Sequence, residues 1–128
     1  MTQAILLIRG LPGSGKSTIA RALAAATGAV HCEADDYFVG DDGIYRFSRE
    51  DLPLAHEACL CRFRIALDEG RPVIVANTFS QRWEMRAYHN EAAARGIPCL
   101  TVTATGAWQN VHGVTEEAIR AMRERWEE

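Results

Sequence analysis

Lysine is all but missing from this chain. Of its 14 basic residues only Lys16 is a lysine, and the rest are arginines. Acidic residues number 17, which leaves a formal net charge of −3 and no electrostatic case for non-specific binding to nucleic acid. A local arginine patch is still compatible with that sum. Long apolar runs are absent too. Ala4-Ile5-Leu6-Leu7-Ile8 is too short to cross a bilayer and lacks the basic region that precedes a secretory signal, so no membrane association and a cytoplasmic location are expected. Cys32, Cys59, Cys61 and Cys99 form no C-x-x-C pair, which argues against a zinc ribbon or a dithiol redox site. Free, mostly buried thiols in a reducing compartment are the expectation. Repeats, linkers and low-complexity segments are also lacking. The 128 residues are read as a single domain, 1–128, with room for one core.

Glycine, by contrast, is concentrated. Gly10-Leu11-Pro12-Gly13-Ser14-Gly15-Lys16-Ser17 follows the apolar run and opens a helical pattern at Thr18. This is G-x-x-x-x-G-K-S in the strand–loop–helix setting that a P-loop requires. Glycines let the loop curl so that successive backbone N–H groups turn inward on a phosphate. The following helix adds its unpaired N-terminal donors and the positive end of its dipole. Residues 10–18, Thr18 included, are therefore the expected nucleotide cradle. Lys16 is placed to reach the β- and γ-phosphates of ATP, and the Ser17 hydroxyl to ligate Mg²⁺.

Further along, strands and helices alternate. Strands are expected over Ala4–Arg9, Ala29–Glu33, Pro72–Thr78 and Ile97–Thr103. Helices are expected over Lys16–Thr27, from a Ser48 or Asp51 cap to about Gly70, over Gln81–Arg95, and after a Thr115 cap. The first helix is expected to set Ile19, Ala20, Leu23 and Ala24 on one face, and the second to turn Leu54, Ala58, Cys61 and Ile65 inward. Alternation of this kind predicts an α/β fold, a three-layer sandwich with a small parallel sheet flanked by helices. Ligands of such sheets sit beyond the carboxyl ends of the strands, so the P-loop, Asp35-Asp36 and Asn77-Thr78 share one rim, with Asn77 and Thr78 expected to face the P-loop and orient phosphate or metal-bound water.

With those segments in view, the chain resembles the polynucleotide-kinase-like P-loop kinases, along essentially its whole length. The matching text is Arg9 to Thr18, Asp35-Asp36-Tyr37-Phe38, Ala55-His56-Glu57, Val73-Ile74-Val75 with Asn77-Thr78, Trp83-Glu84-Met85 with Tyr88, and Asn110 with His112-Gly113-Val114. The resemblance implies a kinase that moves the γ-phosphate of ATP, with Mg²⁺, to a hydroxyl. It makes Asp35 the general base for the acceptor; Asp36 is read separately as a structural or capping residue. A carboxylate able to accept the proton of an in-line hydroxyl suits that chemistry independently.

Three departures from the family pattern stand out. Ala76 replaces the aspartate usual before Asn-Thr, which removes an outer-sphere partner for Mg²⁺. Phe38 replaces an arginine that grips the acceptor phosphate in 5′-end kinases. The lid segment before Asn110 is short and lacks its basic residue, leaving Arg82, Arg86, Arg120, Arg123 or Arg125 to serve it. On these grounds the acceptor is expected on nucleic acid. The chain resembles in particular the compact phage kinases that phosphorylate 5-hydroxymethyluracil in DNA, with the base against Phe38. A 5′-hydroxyl polynucleotide kinase, a small-molecule kinase and a nucleotide-binding module without turnover are the alternatives. No obligate protein partner is evident.

Overall fold

The computed structural model describes residues 3–106 and 114–128. Four parallel strands, β1 (Ile5–Arg9), β2 (Val30–Cys32), β3 (Val73–Ala76) and β4 (Cys99–Thr103), form a sheet in the order β2-β3-β1-β4. Every pairing is parallel. Leu7 of β1 stands opposite Val75 of β3 and Thr101 of β4, and Cys32 of β2 opposite Val75. The expected α/β architecture with a parallel sheet is therefore present.

Side chains of β1 and β3 alternate between two cores, as the pleat requires. Ile5, Leu7, Val73 and Val75 face a larger core with α2 (Leu52–Asp68) and α3 (Arg86–Arg95), where Phe63 is wholly buried against Tyr88. Ile8, Ile74 and Ala76 face a smaller one closed by Ala20 and Ala24 of α1 (Lys16–Thr27). Both central strands are covered on both faces, which is why they read as continuous apolar runs. β4 lies at the edge and leaves Leu100 exposed.

Helix ends follow the chemistry of the sequence. α1 stops at Gly28 and α3 at Gly96, both left-handed, as glycine permits. Thr115 caps the final helix, α4 (Glu116–Glu124), by accepting the Ala118 N–H. The third expected helix opens as a 3₁₀ turn over Arg82–Met85, and Gln81 and Glu84 close it with a capping box.

Two inward faces differ from expectation. In α2 the buried residues are Ala55, Cys59, Phe63, Ala66 and Leu67, whereas Leu54, Cys61 and Ile65 face outward. Apolar residues occur all round this helix. The small side chains of Ala55 and Cys59 admit the close approach of the 3₁₀ turn Ala34–Phe38, and that contact sets its rotation. In α1, Ile19 and Leu23 are likewise exposed while Ala20 is buried.

The C-terminal residues are tied back to the sheet. Arg9, 4% exposed at the end of β1, donates to the Phe79, Ser80 and Glu127 carbonyls and stacks under Trp126. Phe79 is left-handed at φ 46° and buried, and two guanidinium N–H groups of Arg9 hold its carbonyl. No helix among the described residues is long and apolar enough to cross a membrane.

Candidate phosphate-binding and acceptor site

The glycine-rich loop runs from the carboxyl end of β1 into α1. Gly13 and Gly15 take φ of 81° and 92°, a region open to glycine at little cost. Gly10 is required for a different reason, because a Cβ there would collide with Ser14 Oγ and stand 3.0 Å from the Ala104 carbonyl. The loop is fastened on both sides. The Gly10 N–H donates to the Thr78 carbonyl at 3.2 Å, and the Ser14 carbonyl accepts the Gly106 N–H at 3.0 Å. Ser14 Oγ is buried and has no hydrogen-bond partner among the described residues. Leu11 and Pro12, also expected in the cradle, are half-buried, and Thr18 is exposed on the first turn of α1.

Lys16 and Ser17 open that turn. Burial lowers the Lys16 pKa, while the nearby charges of Asp35 and Glu33 act to raise it. The Ser17 hydroxyl donates to Glu33 Oε1 at 2.5 Å. Glu33 follows β2 and is 8% exposed, and its other carboxylate oxygen lies 2.7 Å from His31 Nε2.

Beside the loop is a cleft of about 380 Å³ lined by Ser17, Thr18, Arg21, Glu33, Asp35, Asp36 and Val39. Asp35 is half-buried there and accepts a hydrogen bond from the Tyr45 hydroxyl at 3.1 Å. The structure thus brings Ser17 and Asp35 to one cavity next to the loop that carries Lys16. Asp36 is exposed and paired with Arg62 at 3.1 Å, and Arg62 also donates to the His31 carbonyl. That pairing agrees with a structural role for Asp36. Hydroxyl and carboxylate oxygens are hard donors and fit Mg²⁺: Ser17 would bind it directly, and acidic groups of the cleft would hold its water.

Other expectations need correction. Phe38 is 5% exposed and packs against Tyr37, Tyr45 and Phe47, with ring centroids 5.1–6.1 Å away, so it belongs to the core and offers no face to a base. The exposed aromatics of this segment are Tyr37 and Phe47. They belong to the turn and small hairpin, bridged at Val39 and Tyr45, that supplies Val39 to the cleft. Asn77 does not point to the phosphate loop. Its Oδ1 accepts the Ala34 N–H at 2.8 Å and fixes the turn that carries Asp35. Of the five arginines considered for the lid, none lines the cleft, and Arg82 Nε donates to the Glu128 carbonyl. Asn110, His112 and Gly113 lie outside the described residues.

Sequence reasoning passed over two cleft residues, Glu33 and Arg21. Glu33 reads as the last residue of a strand. The signal that could have found it is a second carboxylate at a strand's carboxyl end in a chain whose Ala76 lacks one. Arg21 stands one turn after Ser17 and therefore on the same face of α1.

Loop, sheet order and cleft together define a P-loop fold of the kinase-like kind. The chain belongs to the AAA domain family, whose model matches residues 5–116. It is 34% identical over 134 residues to human NEDD4-binding protein 2, an alignment that covers 96% of this chain and only 8% of that protein. Among solved structures it is similar to the Mycobacterium tuberculosis APS kinase CysC (TM-score 0.60, 19% identity, 96% of this chain and 94% of that one). It is also similar to the Pnkp1/Rnl/Hen1 RNA repair complex (TM-score 0.64, 16% identity, 97% of this chain and 44% of that one).

Proposed function

We propose that the chain is an ATP-dependent kinase that transfers the γ-phosphate to a hydroxyl, and that the acceptor hydroxyl is carried on nucleic acid. The observation that carries the reading is the cleft in which Ser17 and a half-buried Asp35 meet beside the phosphate loop. ATP lies over residues 10–18, Mg²⁺ screens its phosphates when bound, and Lys16 spreads charge off the β/γ bridge. Asp35, steadied by Tyr45, accepts the proton of the acceptor hydroxyl as its oxygen attacks in line. Arg21, the arginine that lines the cleft among the described residues, is within the same cavity to meet negative charge on the acceptor or the moving phosphoryl group.

Exposed Tyr37 and Phe47 on the acceptor-side hairpin favour a substrate with a flat ring, because stacking on aromatic faces is how bases are gripped without sequence readout. The name of the RNA repair complex is in keeping with a polynucleotide acceptor. The narrower reading, 5-hydroxymethyluracil in DNA, loses the stacking contact assigned to Phe38 and now rests on Tyr37 and Phe47. A small-molecule acceptor is the second reading. It is favoured by the acidic lining of Glu33, Asp35 and Asp36, which would repel a chain of phosphates.

The test is label transfer from γ-labelled ATP to three acceptors: a duplex bearing 5-hydroxymethyluracil with blocked 5′ ends, an unmodified oligonucleotide with a free 5′-hydroxyl, and a panel of nucleosides and sugars. Label in either nucleic acid supports the reading. Label confined to the panel replaces it with a small-molecule kinase, and label in none of them refutes transfer to a hydroxyl.

A further inference from the structure

We propose that Glu33 is the carboxylate that organises the nucleotide's divalent cation in this chain, standing just beyond β2 in place of the one that Ala76 lacks on β3. The inference rests on the kinase reading above. In a P-loop the helix-opening serine offers lone pairs to Mg²⁺, and a neighbouring carboxylate receives the serine proton and holds metal-bound water. At residue 76 a methyl group, 1% exposed, can do neither. The sheet register supplies the substitute. Cys32 pairs with Val75, so the next residue, Glu33, stands level with Ala76 one strand further out. α1 packs over both β2 and β3, which brings Ser17 within reach of a side chain from either strand. Glutamate is one methylene longer than aspartate, and here it closes the gap: Oε1 accepts the Ser17 hydroxyl at 2.5 Å.

Burial strengthens the argument. A carboxylate that is 8% exposed is costly to keep unless its oxygens are engaged. One oxygen accepts the Ser17 hydroxyl; the other lies 2.7 Å from His31 Nε2, which makes no hydrogen bond among the described residues, so that oxygen gains no hydrogen-bond partner there. Asp35, Asp36 and Arg21 line the same cleft, Arg62 pairs with Asp36, and Glu33 is the cleft carboxylate bonded to Ser17.

The test uses Mn²⁺ as the metal and AMPPNP as the nucleotide, with free Mn²⁺ followed by electron paramagnetic resonance, so that no turnover is needed. Glu33→Gln, which keeps the shape and removes the charge, is expected to weaken Mn²⁺ binding to the AMPPNP complex by about 10–100-fold. Metal-free AMPPNP binding should stay at the wild-type level. Ala76→Asp added to Glu33→Gln is expected to recover Mn²⁺ affinity, because it returns a carboxylate to the neighbouring strand. Wild-type Mn²⁺ affinity in Glu33→Gln would overturn the proposal, and so would an equal loss of metal-free nucleotide, which would mark Glu33 as a support of the loop. If the unaltered protein takes up no Mn²⁺–AMPPNP, the kinase reading fails along with it. If it does and Glu33→Gln matches it, only Glu33 is removed.

Discussion

Tyr45→Phe removes a single atom from the site and probes whether Asp35 is the base. The Tyr45 hydroxyl donates to Asp35 Oδ1 at 3.1 Å, and the ring that remains keeps its packing beside Phe38. A hydrogen bond to an ionised carboxylate contributes about 1.5–3 kcal/mol. Asp35 is only half-buried, so solvent screening reduces this to roughly 1 kcal/mol. That corresponds to roughly fivefold in rate. The sign follows from what is lost. The bond favours the charged form, so its removal raises the Asp35 pKa and moves the acid limb of the pH–rate profile to higher pH. Below the limb the variant is slower, and well above it the two enzymes converge. Burial and the Asp35 charge push the Tyr45 phenol well above its usual range, so it remains a donor throughout the assay. The measurement is single-turnover transfer of γ-label across pH for both proteins. Superimposable profiles would refute the coupling of Tyr45 to a catalytic Asp35.

Three further outcomes are expected. Lys16→Ala should abolish transfer while the fold persists by circular dichroism, and substantial residual transfer would remove Lys16 from the phosphate site. Phe63→Ala should cost about 3–5 kcal/mol in denaturant unfolding, because the side chain is fully buried, whereas Ile65→Ala on the exposed face should stay within about 0.5 kcal/mol. Alkylation followed by mass spectrometry should label Cys61 in the native protein. Cys32, whose thiol burial pushes up to about 12, and buried Cys59 should react only after unfolding; rapid native labelling of Cys32 would contradict the described packing.

The legible parts of this chain were those whose backbone demands a particular residue. Gly13, Gly15, Gly28 and Gly96 all take positive φ, and they fixed the phosphate loop and the ends of α1 and α3 to the residue. The doubly covered strands were equally plain, since two buried faces leave an unbroken apolar run. Rotation of α2 was not legible: two apolar stripes one residue apart compete, and the choice falls to Ala55 and Cys59 through a contact far away in sequence. Phe38 was misjudged for a related reason. Aromatic residues cluster from Tyr37 to Phe47, and only the three-dimensional packing decides which of them turns inward. Glu33 was passed over because a carboxylate at a strand's end gains meaning only beside Ala76, and the register, with Cys32 opposite Val75, makes that relation plain.

The most direct test of the account compares transfer from γ-labelled ATP in the unaltered protein and in Asp35→Asn, using whichever hydroxyl acceptor takes label, with AMPPNP binding measured in parallel. The account predicts a loss of transfer of about 10²–10⁴-fold in Asp35→Asn with nucleotide binding retained. Transfer at the unaltered rate, or nucleotide binding with no transfer by either protein, would contradict it.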